Sequence, residues 1–267
     1  MRVWREMLKH LQSSQSGLRR RPRALQVASA TTSVYATHPY ILLNYDGTLE
    51  WASAITHEFG HAMHSIYSAK KQPYPNADYT LFVAEIVSLT NEIIYNKYLL
   101  SKAKTNEEKI KLLSYFLQLF VLNVFDSSRL AEFELFVHNN LQDGVSMTAE
   151  DYNKKYVELA KKYFGDTIEL TKFYEVGWSR NGHMYRDYYL YKYSMGLCAA
   201  CYVSKRLLTE GNNYLKKYKE FLSLGSSKDP ISSLKVAEID VLDSKLYDSA
   251  FDTFKWYLDE LKKLTED

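Results

Sequence analysis

The sequence predicts a mainly α-helical fold, and three observations point to it. From Glu50 onward, apolar side chains recur at intervals of three and four residues, which is the period of helices with one buried face. Glycine and proline, which interrupt helices, number only 10 and 5 in 267 residues. The 23 tyrosines and 12 phenylalanines supply large apolar groups for a core between such helices. We therefore expect one compact helical domain, preceded by a short strand and a basic leader.

Residues 1–32 differ in composition from the remainder of the chain. This range contains several lysines, arginines and serines but a single acidic residue, Glu6. Such a composition is typical of an organellar transit peptide, and it is equally typical of a disordered leader without any address. We predict a disordered basic leader, residues 1–32, followed by a folded domain, residues 33–267.

The segment SVYATHPYILLNY, residues 33–45, mixes β-branched, aromatic and apolar residues, and Asp46-Gly47, a turn signal, follows it. It predicts a short strand or one arm of a hairpin near the N-terminus. Such a strand can pair its free edge with an extended peptide, or it can be an ordinary core strand. The sequence leaves both interpretations open.

The apolar periodicity then predicts a series of helices near residues 50–69, 79–102, 106–142, 148–164, 186–209, 212–224 and 244–264. Thr105 with Glu108, and Thr148 with Asp151, have the spacing of capping boxes and mark two of the helix starts. The segment 225–230, which begins with glycine and ends with proline, predicts a loop late in the chain.

Charge and hydropathy exclude some classes of partner. Lysine and arginine total 34 against 32 acidic residues, so the net charge of +2 is too small to attract nucleic acid or an anionic membrane. No run reaches the roughly 20 apolar residues that a membrane-spanning helix needs. We expect a soluble protein without nucleic-acid or membrane partners, and the sequence gives no indication for or against self-association.

Two cysteines, Cys198 and Cys201, are the only ones in the chain. Two cysteines cannot form a disulfide framework, which favours a reducing compartment and a cytoplasmic location. Their spacing can suggest a redox pair, but both lie in an apolar helical stretch without a second such pair. We therefore expect buried core thiols.

The strongest feature is THEFGHAMH, residues 56–64, which contains HExxH within a predicted helix. Residues four apart lie on one helix face, so His57 and His61 can direct imidazole nitrogens to one ion. Glu58 then lies beside the metal without filling its coordination. Zinc lowers the pKa of bound water to about 7, and a neighbouring carboxylate can take the proton during attack on a carbonyl.

A solvent-facing helix that carries two histidines by chance is the alternative interpretation of this motif. Its flanking residues argue against exposure because they are apolar: Ala54, Ile55, Phe59, Ala62 and Met63. The sequence therefore predicts a metal site in a packed environment.

A catalytic zinc site usually has three protein ligands, so a third is required. Three acidic candidates follow the motif: Asp78, Glu85 and Glu92. Glu85 lies in the apolar stretch LFVAEIVSLT, where an ionised carboxylate is costly unless it is paired or binds a metal, and we favour it. Glu92 falls seven residues later on the same helix face and is expected to support a ligand. We expect His64 to be a core or supporting group.

These segments occur in a recognisable order. HEFGHAMH and QPYPNADYTLFVAEIVSLTNE are preceded by SVYATHPYILLNY and followed by WSRNGHMYRDYYLYKYSMG. Over about residues 33–265 they resemble the oligoendopeptidase F branch of the thimet oligopeptidase (M3) family. The resemblance implies a multi-helical, zincin-like metallopeptidase catalytic domain at residues 33–267, and an endopeptidase that cleaves short, unstructured oligopeptides inside a deep channel.

The resemblance also implies roles for individual residues. By position, His57, His61 and Glu85 match the ligands of one zinc ion per chain, and Glu58 matches the catalytic base that activates the zinc-bound water. This assignment agrees with the argument from the residues alone.

Farther along, His183, Tyr188 and Tyr191 fall where the family places groups that contact substrate and stabilise the oxyanion. A phenol O–H or imidazole N–H suits that task because it can be aimed at developing negative charge. Core packing is the alternative role for each tyrosine of this crowded segment, which also contains Tyr185, Tyr189 and Tyr193.

The chain departs from the family in two places. Family members are considerably longer, with a helical N-terminal portion that forms the other channel wall, and residues 1–32 do not resemble that portion. Asn181-Gly182 also stands before His183 where the family has an apolar residue and proline, which predicts a looser loop. The alternative function is therefore a truncated zinc-binding relative that is weakly active or inactive without an N-terminal portion.

Overall fold

A computed structural model describes residues 19–20, 29–167, 170–171 and 173–266 of the chain. These residues form two compact units. The first unit runs to Phe116 and resumes at Gly196, and the second is Leu117–Met195. Each unit is described by itself below.

Helices account for most of the first unit, together with a small sheet. Its elements are β1 (Arg19–Arg20), β2 (Ser29–Thr32), β3 (Tyr40–Leu43), α1 (Leu49–Lys71), α2 (Leu81–Lys102), the first turns of α3 (Asn106–Phe120), most of α6 (Tyr191–Glu210), α7 (Asn212–Leu222), α8 (Pro230–Val236) and α9 (Ser244–Thr265). The predicted mainly α fold with a short strand or hairpin near the N-terminus is confirmed.

All described secondary-structure elements of the second unit are helices or helical turns. It contains the end of α3, a π-helical turn (Val121–Asp126), α4 (Ser127–Gln142), α5 (Ala149–Phe164), short 3-10 turns and the start of α6. Its core is formed by Leu130, Phe133, Tyr156, Leu159 and Leu190, with Trp178 and Tyr193 packed against it.

The sheet places β3 between the two other strands. β3 runs antiparallel to β2, with Thr31 opposite Ile41, and parallel to β1. Side chains of β3 alternate between buried and more exposed positions, as expected for a strand with one covered face. β1 and β2 both fall within residues 1–32. Most of that predicted leader lies outside the described residues, and the domain boundary at residue 32 stays a prediction.

Helix α1 is held between the sheet and α2. Ala62 on α1 packs against Ile41 and Leu43 of β3. On the α2 side, a Cβ at Gly60 would lie only 2.5 Å from the Cα of Ser88, so only glycine permits this approach of the two backbones. The motif glycine therefore brings α2 close to α1.

The helix predictions agree with the structure to within a few residues, with three differences. The helix predicted near 186–209 begins at Tyr191, because 3-10 turns and a left-handed residue precede it. The stretch predicted as 106–142 is helical throughout but contains the π-helical turn. Helix α8 was not predicted, although Asp229 caps it and Pro230 occupies its first position. Both predicted capping boxes, at Thr105 and Thr148, are present.

One helical stretch, Asn106–Gln142, is long and apolar enough to cross a membrane by length and composition alone, although no such run was predicted. Core helices of soluble proteins pass the same test, so it is weak evidence for a membrane span. Cys198 and Cys201 are both free and buried on α6, and burial raises the pKa of each thiol, that of Cys198 to about 12. The predicted core thiols are confirmed.

Candidate metal centre

His57 and His61 are one helical turn apart on α1 and point to the same place. Their Nε2 atoms are 3.1 Å apart, and the ring planes are nearly perpendicular at 77°. Two imidazole nitrogens at this separation can therefore bind one ion.

Glu85 on α2 provides the third donor at this place, a carboxylate oxygen. Its Oε2 lies 3.4 Å from Nε2 of His57, and its Oε1 lies 4.0 Å from Nε2 of His61. Tetrahedral bonds of about 2.0–2.2 Å hold ligand atoms about 3.3–3.6 Å apart, so two of the three separations fit zinc within a few tenths of an ångström and the third needs a small side-chain rotation. These three groups could hold a metal ion. The side chains are 13–22% exposed, which leaves the site open to solvent.

Glu92 lies behind His57. Its Oε1 is 2.7 Å from Nδ1 of His57, and its Oε2 accepts hydrogen bonds from Ser53 at 2.8 Å and from Tyr115 at 3.2 Å. A carboxylate at Nδ1 favours the tautomer whose Nε2 lone pair is free for a metal. Glu92 thus has the supporting position predicted for it, and Glu85 rather than Glu92 faces the two histidines.

The electrostatics around the three groups favour a cation. Burial disfavours protonation of His57, but hydrogen bonds to Glu85 and Glu92 outweigh it and raise the His57 pKa to about 10. Burial likewise disfavours ionisation of Glu85, yet the hydrogen bond and charge of His57 lower the Glu85 pKa. Burial and the neighbouring His57 lower the pKa of His61. Without a metal, one proton on His57 supplies the positive charge between the two carboxylates.

Glu58 follows His57 on α1 and is almost completely buried, at 4% exposure. The Thr31 hydroxyl of β2 lies 2.5 Å from Glu58 Oε2 and 3.1 Å from the Glu58 backbone oxygen. This donor holds the carboxylate in one orientation. Sequence reasoning missed Thr31, because only the pairing of β2 with β3 brings it beside α1.

His64 is a core residue, as predicted. It is 1% exposed, and its ring stacks on Tyr79 at 3.5 Å between centroids. The Tyr79 hydroxyl donates to the backbone oxygen of His61 at 3.1 Å. Burial lowers the pKa of His64 to about 3, so its ring is neutral.

The other three candidates, His183, Tyr188 and Tyr191, lie in the second unit, and their roles stay predictions. The Asn181 side chain accepts from the His183 N–H at 3.0 Å and caps a 3-10 turn, Gly182–Tyr185. The His183 ring stacks on Tyr189 at 4.8 Å with an interplanar angle of 1°. Asn181 therefore gives this turn a cap of its own.

Tyr188 is 44% exposed and has a φ of +46°, in the left-handed region that side chains other than glycine rarely adopt. Its N–H donates to Oε1 of Glu134 on α4 at 2.6 Å. Tyr191 occupies the first position of α6 and is partly buried. Exposure of Tyr188 argues against the core-packing alternative for that residue, whereas Tyr193 does pack against the core of the second unit.

Comparison with known proteins shows what the chain is similar to. The family model described as peptidase family M3 matches residues 11–253. Oligopeptidase PepF of Bacillus subtilis is 38% identical over 234 residues, which is 88% of this chain and 35% of that protein. Group B oligopeptidase PepB of Streptococcus agalactiae is 35% identical over 230 residues, 86% of this chain and 38% of that protein. The chain thus spans little more than a third of the length of these relatives.

Two solved structures likewise match most of this chain with less than half of their own length. A protein from Chlamydophila abortus superposes with a TM-score of 0.85 at 32% identity, over 97% of this chain and 44% of that one. Oligoendopeptidase-F from Enterococcus faecium superposes with a TM-score of 0.71 at 33% identity, over 81% of this chain and 39% of that one.

Proposed function

Because this chain belongs to peptidase family M3, we propose that it is a zinc-dependent endopeptidase that hydrolyses short, unstructured oligopeptides. The observation that carries the proposal is the arrangement of His57, His61 and Glu85 around one point. The names of its relatives, oligopeptidase and oligoendopeptidase, support peptide bonds as the substrate class.

His57, His61 and Glu85 would hold the zinc ion, one per chain. Zinc in such a site polarises a carbonyl and lowers the pKa of water to about 7. Three protein ligands leave a coordination position open, which distinguishes catalytic from structural zinc sites. Glu92 keeps His57 in the tautomer that directs Nε2 toward the site.

Glu58 is the proposed general base. It directly follows His57 on α1, so it would lie beside a metal ion that His57, His61 and Glu85 would hold. Its carboxylate takes a proton from the attacking water and passes it to the leaving amine. Thr31 restricts the carboxylate to one orientation for that transfer.

His183, Tyr188 and Tyr191 are proposed to contact substrate and to stabilise the oxyanion. Support comes from their chemistry, because an imidazole N–H or phenol O–H can donate to a developing negative charge. The exposure of Tyr188 is consistent with contact to a bound peptide.

The deciding experiment follows cleavage of a fluorogenic, unstructured peptide by the purified chain. We expect turnover that a chelator abolishes and zinc restores, with about one zinc per chain. Glu58→Gln should retain zinc and lose turnover by several orders of magnitude, whereas Glu107→Gln, which changes an exposed carboxylate on α3, should match the parent chain. Parental turnover by Glu58→Gln would refute the mechanism.

The chain spans 35% and 38% of the length of the two relatives named above. This partial coverage favours a second function. In this case the chain binds zinc and hydrolyses peptides only together with a polypeptide that corresponds to the remaining length. One zinc per chain without hydrolysis, and hydrolysis after addition of such a polypeptide, would favour it.

A cytoplasmic location is part of the proposal. Both cysteines of the chain are free and buried, which suits a reducing compartment.

A further inference from the structure

Glu134, on α4 of the second unit, is a buried carboxylate that the proposed reaction does not use. It is 3% exposed, and burial raises its pKa. One of its oxygens, Oε2, is buried without a hydrogen-bond partner among the described residues. Burying a carboxylate oxygen without a hydrogen bond costs free energy. The contact made by the other oxygen, Oε1, must therefore explain why a glutamate is present.

That other oxygen binds the backbone of Tyr188. The Tyr188 N–H donates to Oε1 of Glu134 at 2.6 Å, across 54 residues of sequence. A hydrogen bond from an amide to a buried carboxylate is among the stronger ones in proteins. Glu134 therefore holds the backbone of the 182–190 segment at one point, the Tyr188 amide.

Tyr188 would not adopt its conformation unaided. Its φ of +46° brings Cβ close to the backbone, a strain that persists only where the surroundings determine the conformation. The φ angle and the hydrogen bond are independent observations on one residue. Strained residues that are held by their surroundings occur preferentially at functional sites.

A second contact holds the Tyr188 side chain. The ring of His138, one turn after Glu134 on α4, stacks on the Tyr188 ring at 4.8 Å between centroids and 27° between planes. His138 Nε2 also lies 3.9 Å from Glu134 Oε1. Two residues of one helix thus hold the backbone and the ring of Tyr188, while 44% of Tyr188 stays exposed.

We propose that Glu134 is a positioning residue that holds Tyr188 in its left-handed conformation, and so presents the Tyr188 hydroxyl outward. The catalytic consequence rests on the proposed function, in which this hydroxyl stabilises the oxyanion. The proposal that Glu134 holds the Tyr188 backbone does not rest on the proposed function, because it concerns only residues 182–190 and α4.

The test compares Glu134→Leu, which removes the acceptor, with Glu134→Gln, which keeps an oxygen that can accept from the Tyr188 N–H. Glu132→Leu is the matched control, since Glu132 lies two residues earlier on α4 and pairs with Lys162 at the surface. Hydrogen exchange is measured at the Tyr188 amide in the full chain. The amides of α4 and α5 report whether the unit stays folded.

We expect the Tyr188 amide of Glu134→Leu to exchange about tenfold faster or more, with α4 and α5 unchanged. Glu134→Gln should show a smaller increase, and Glu132→Leu none. An unchanged Tyr188 amide in Glu134→Leu would overturn the proposal. Faster exchange throughout α4 and α5 would overturn it as well, because Glu134 would then maintain the fold rather than the segment.

Peptide hydrolysis supplies the second readout. In an active chain, Glu134→Leu should lower kcat while KM stays near the parental value, because the oxyanion exists only in the transition state. Tyr188→Phe should lower kcat similarly with its amide still protected. An inactive parent chain would count against the proposed endopeptidase, while the exchange result would still decide the role of Glu134.

Discussion

Oε1 of Glu92 lies 2.7 Å from Nδ1 of His57, and this contact joins α2 to α1 behind the candidate metal centre. Glu85, two turns earlier on α2, faces the other nitrogen of the same ring. One imidazole is therefore held between two carboxylates of a single helix. Orientation of His57 depends on the packing of α2 as much as on α1.

Loss of the Glu92 carboxylate should weaken metal binding. We expect Glu92→Gln to reduce zinc affinity by about 10- to 100-fold, because His57 loses the partner that orients its ring. Competition with a chromophoric chelator measures the affinity. Glu107→Gln serves as the control because Glu107 is an exposed residue of α3 paired with Lys111. Equal affinities in the two variants would contradict the role given to Glu92.

Thr31 should affect turnover rather than metal content. Thr31→Val keeps the shape of the side chain and removes the donor to Glu58. We expect kcat on a fluorogenic peptide to fall about tenfold or more, since a hydrogen bond to a charged group contributes roughly 1.5–3 kcal/mol. Zinc content and KM should change little.

Two variants control this experiment. Thr31→Ser retains the hydroxyl and should recover most of the lost kcat. Thr32→Val changes the neighbouring, exposed residue of β2 and should resemble the parent chain. If all three variants lowered kcat equally, the strand rather than the hydroxyl would be responsible.

Gly60→Ala should weaken both the fold and the metal site. The added Cβ would lie 2.5 Å from the Ser88 Cα, so α1 and α2 must separate. We expect the free energy of unfolding to fall by about 1–3 kcal/mol, as for other overpacked interiors. Zinc affinity should decrease too, because Glu85 moves away from the histidines. Urea denaturation and chelator competition measure the two effects.

Gly182→Ala is the matched control for this substitution, because a Cβ there meets no atom within 4 Å. It should leave the free energy of unfolding nearly unchanged. A similar loss in both variants would point to backbone flexibility instead of the helix contact.

His64 should make the metal-free protein sensitive to acid. Its pKa is about 3 in the folded state, against 6.5 for an ordinary histidine, because burial disfavours the charged ring. Between these pH values the unfolded state binds a proton that the folded state does not. The free energy of unfolding should therefore fall as pH decreases from 6.5 toward 3, by up to about 1.4 kcal/mol per pH unit from this residue.

Urea denaturation at several pH values checks this expectation. His64→Phe retains a ring to stack on Tyr79 and has no titration at this position. Its stability should depend less steeply on pH in that range than the stability of the parent chain. Identical slopes would show that His64 is protonated in the folded state.

The sequence predicted that His57, His61 and Glu85 lie together because the signals for this grouping are local or depend on burial. The spacing of His57 and His61 places both on one helix face, and the apolar surroundings of Glu85 indicated that its charge has a partner. Seven residues, two helical turns, separate Glu85 from Glu92, which is why Glu92 could be predicted to lie behind the site. Glu85 and Glu92 both contact His57 from the same face of α2.

Contacts between distant segments could not be predicted. Thr31 meets Glu58 through the pairing of β2 with β3, and Glu134 meets Tyr188 across 54 residues, so no periodicity connects them. The start of α6 was predicted too early because the aromatic run from 185 to 193 has a helical period, whereas Tyr188 adopts a left-handed conformation. For α8, Asp229 before Pro230 was an available capping signal.

Both native thiols lie within α6, shielded from solvent and hard to deprotonate. Alkylating reagents attack thiolates, so they should pass over this chain while it is folded. A cysteine engineered at any exposed position would then be the only site that takes a maleimide dye or spin label. The chain is thus ready for single-site labelling without prior removal of its own cysteines.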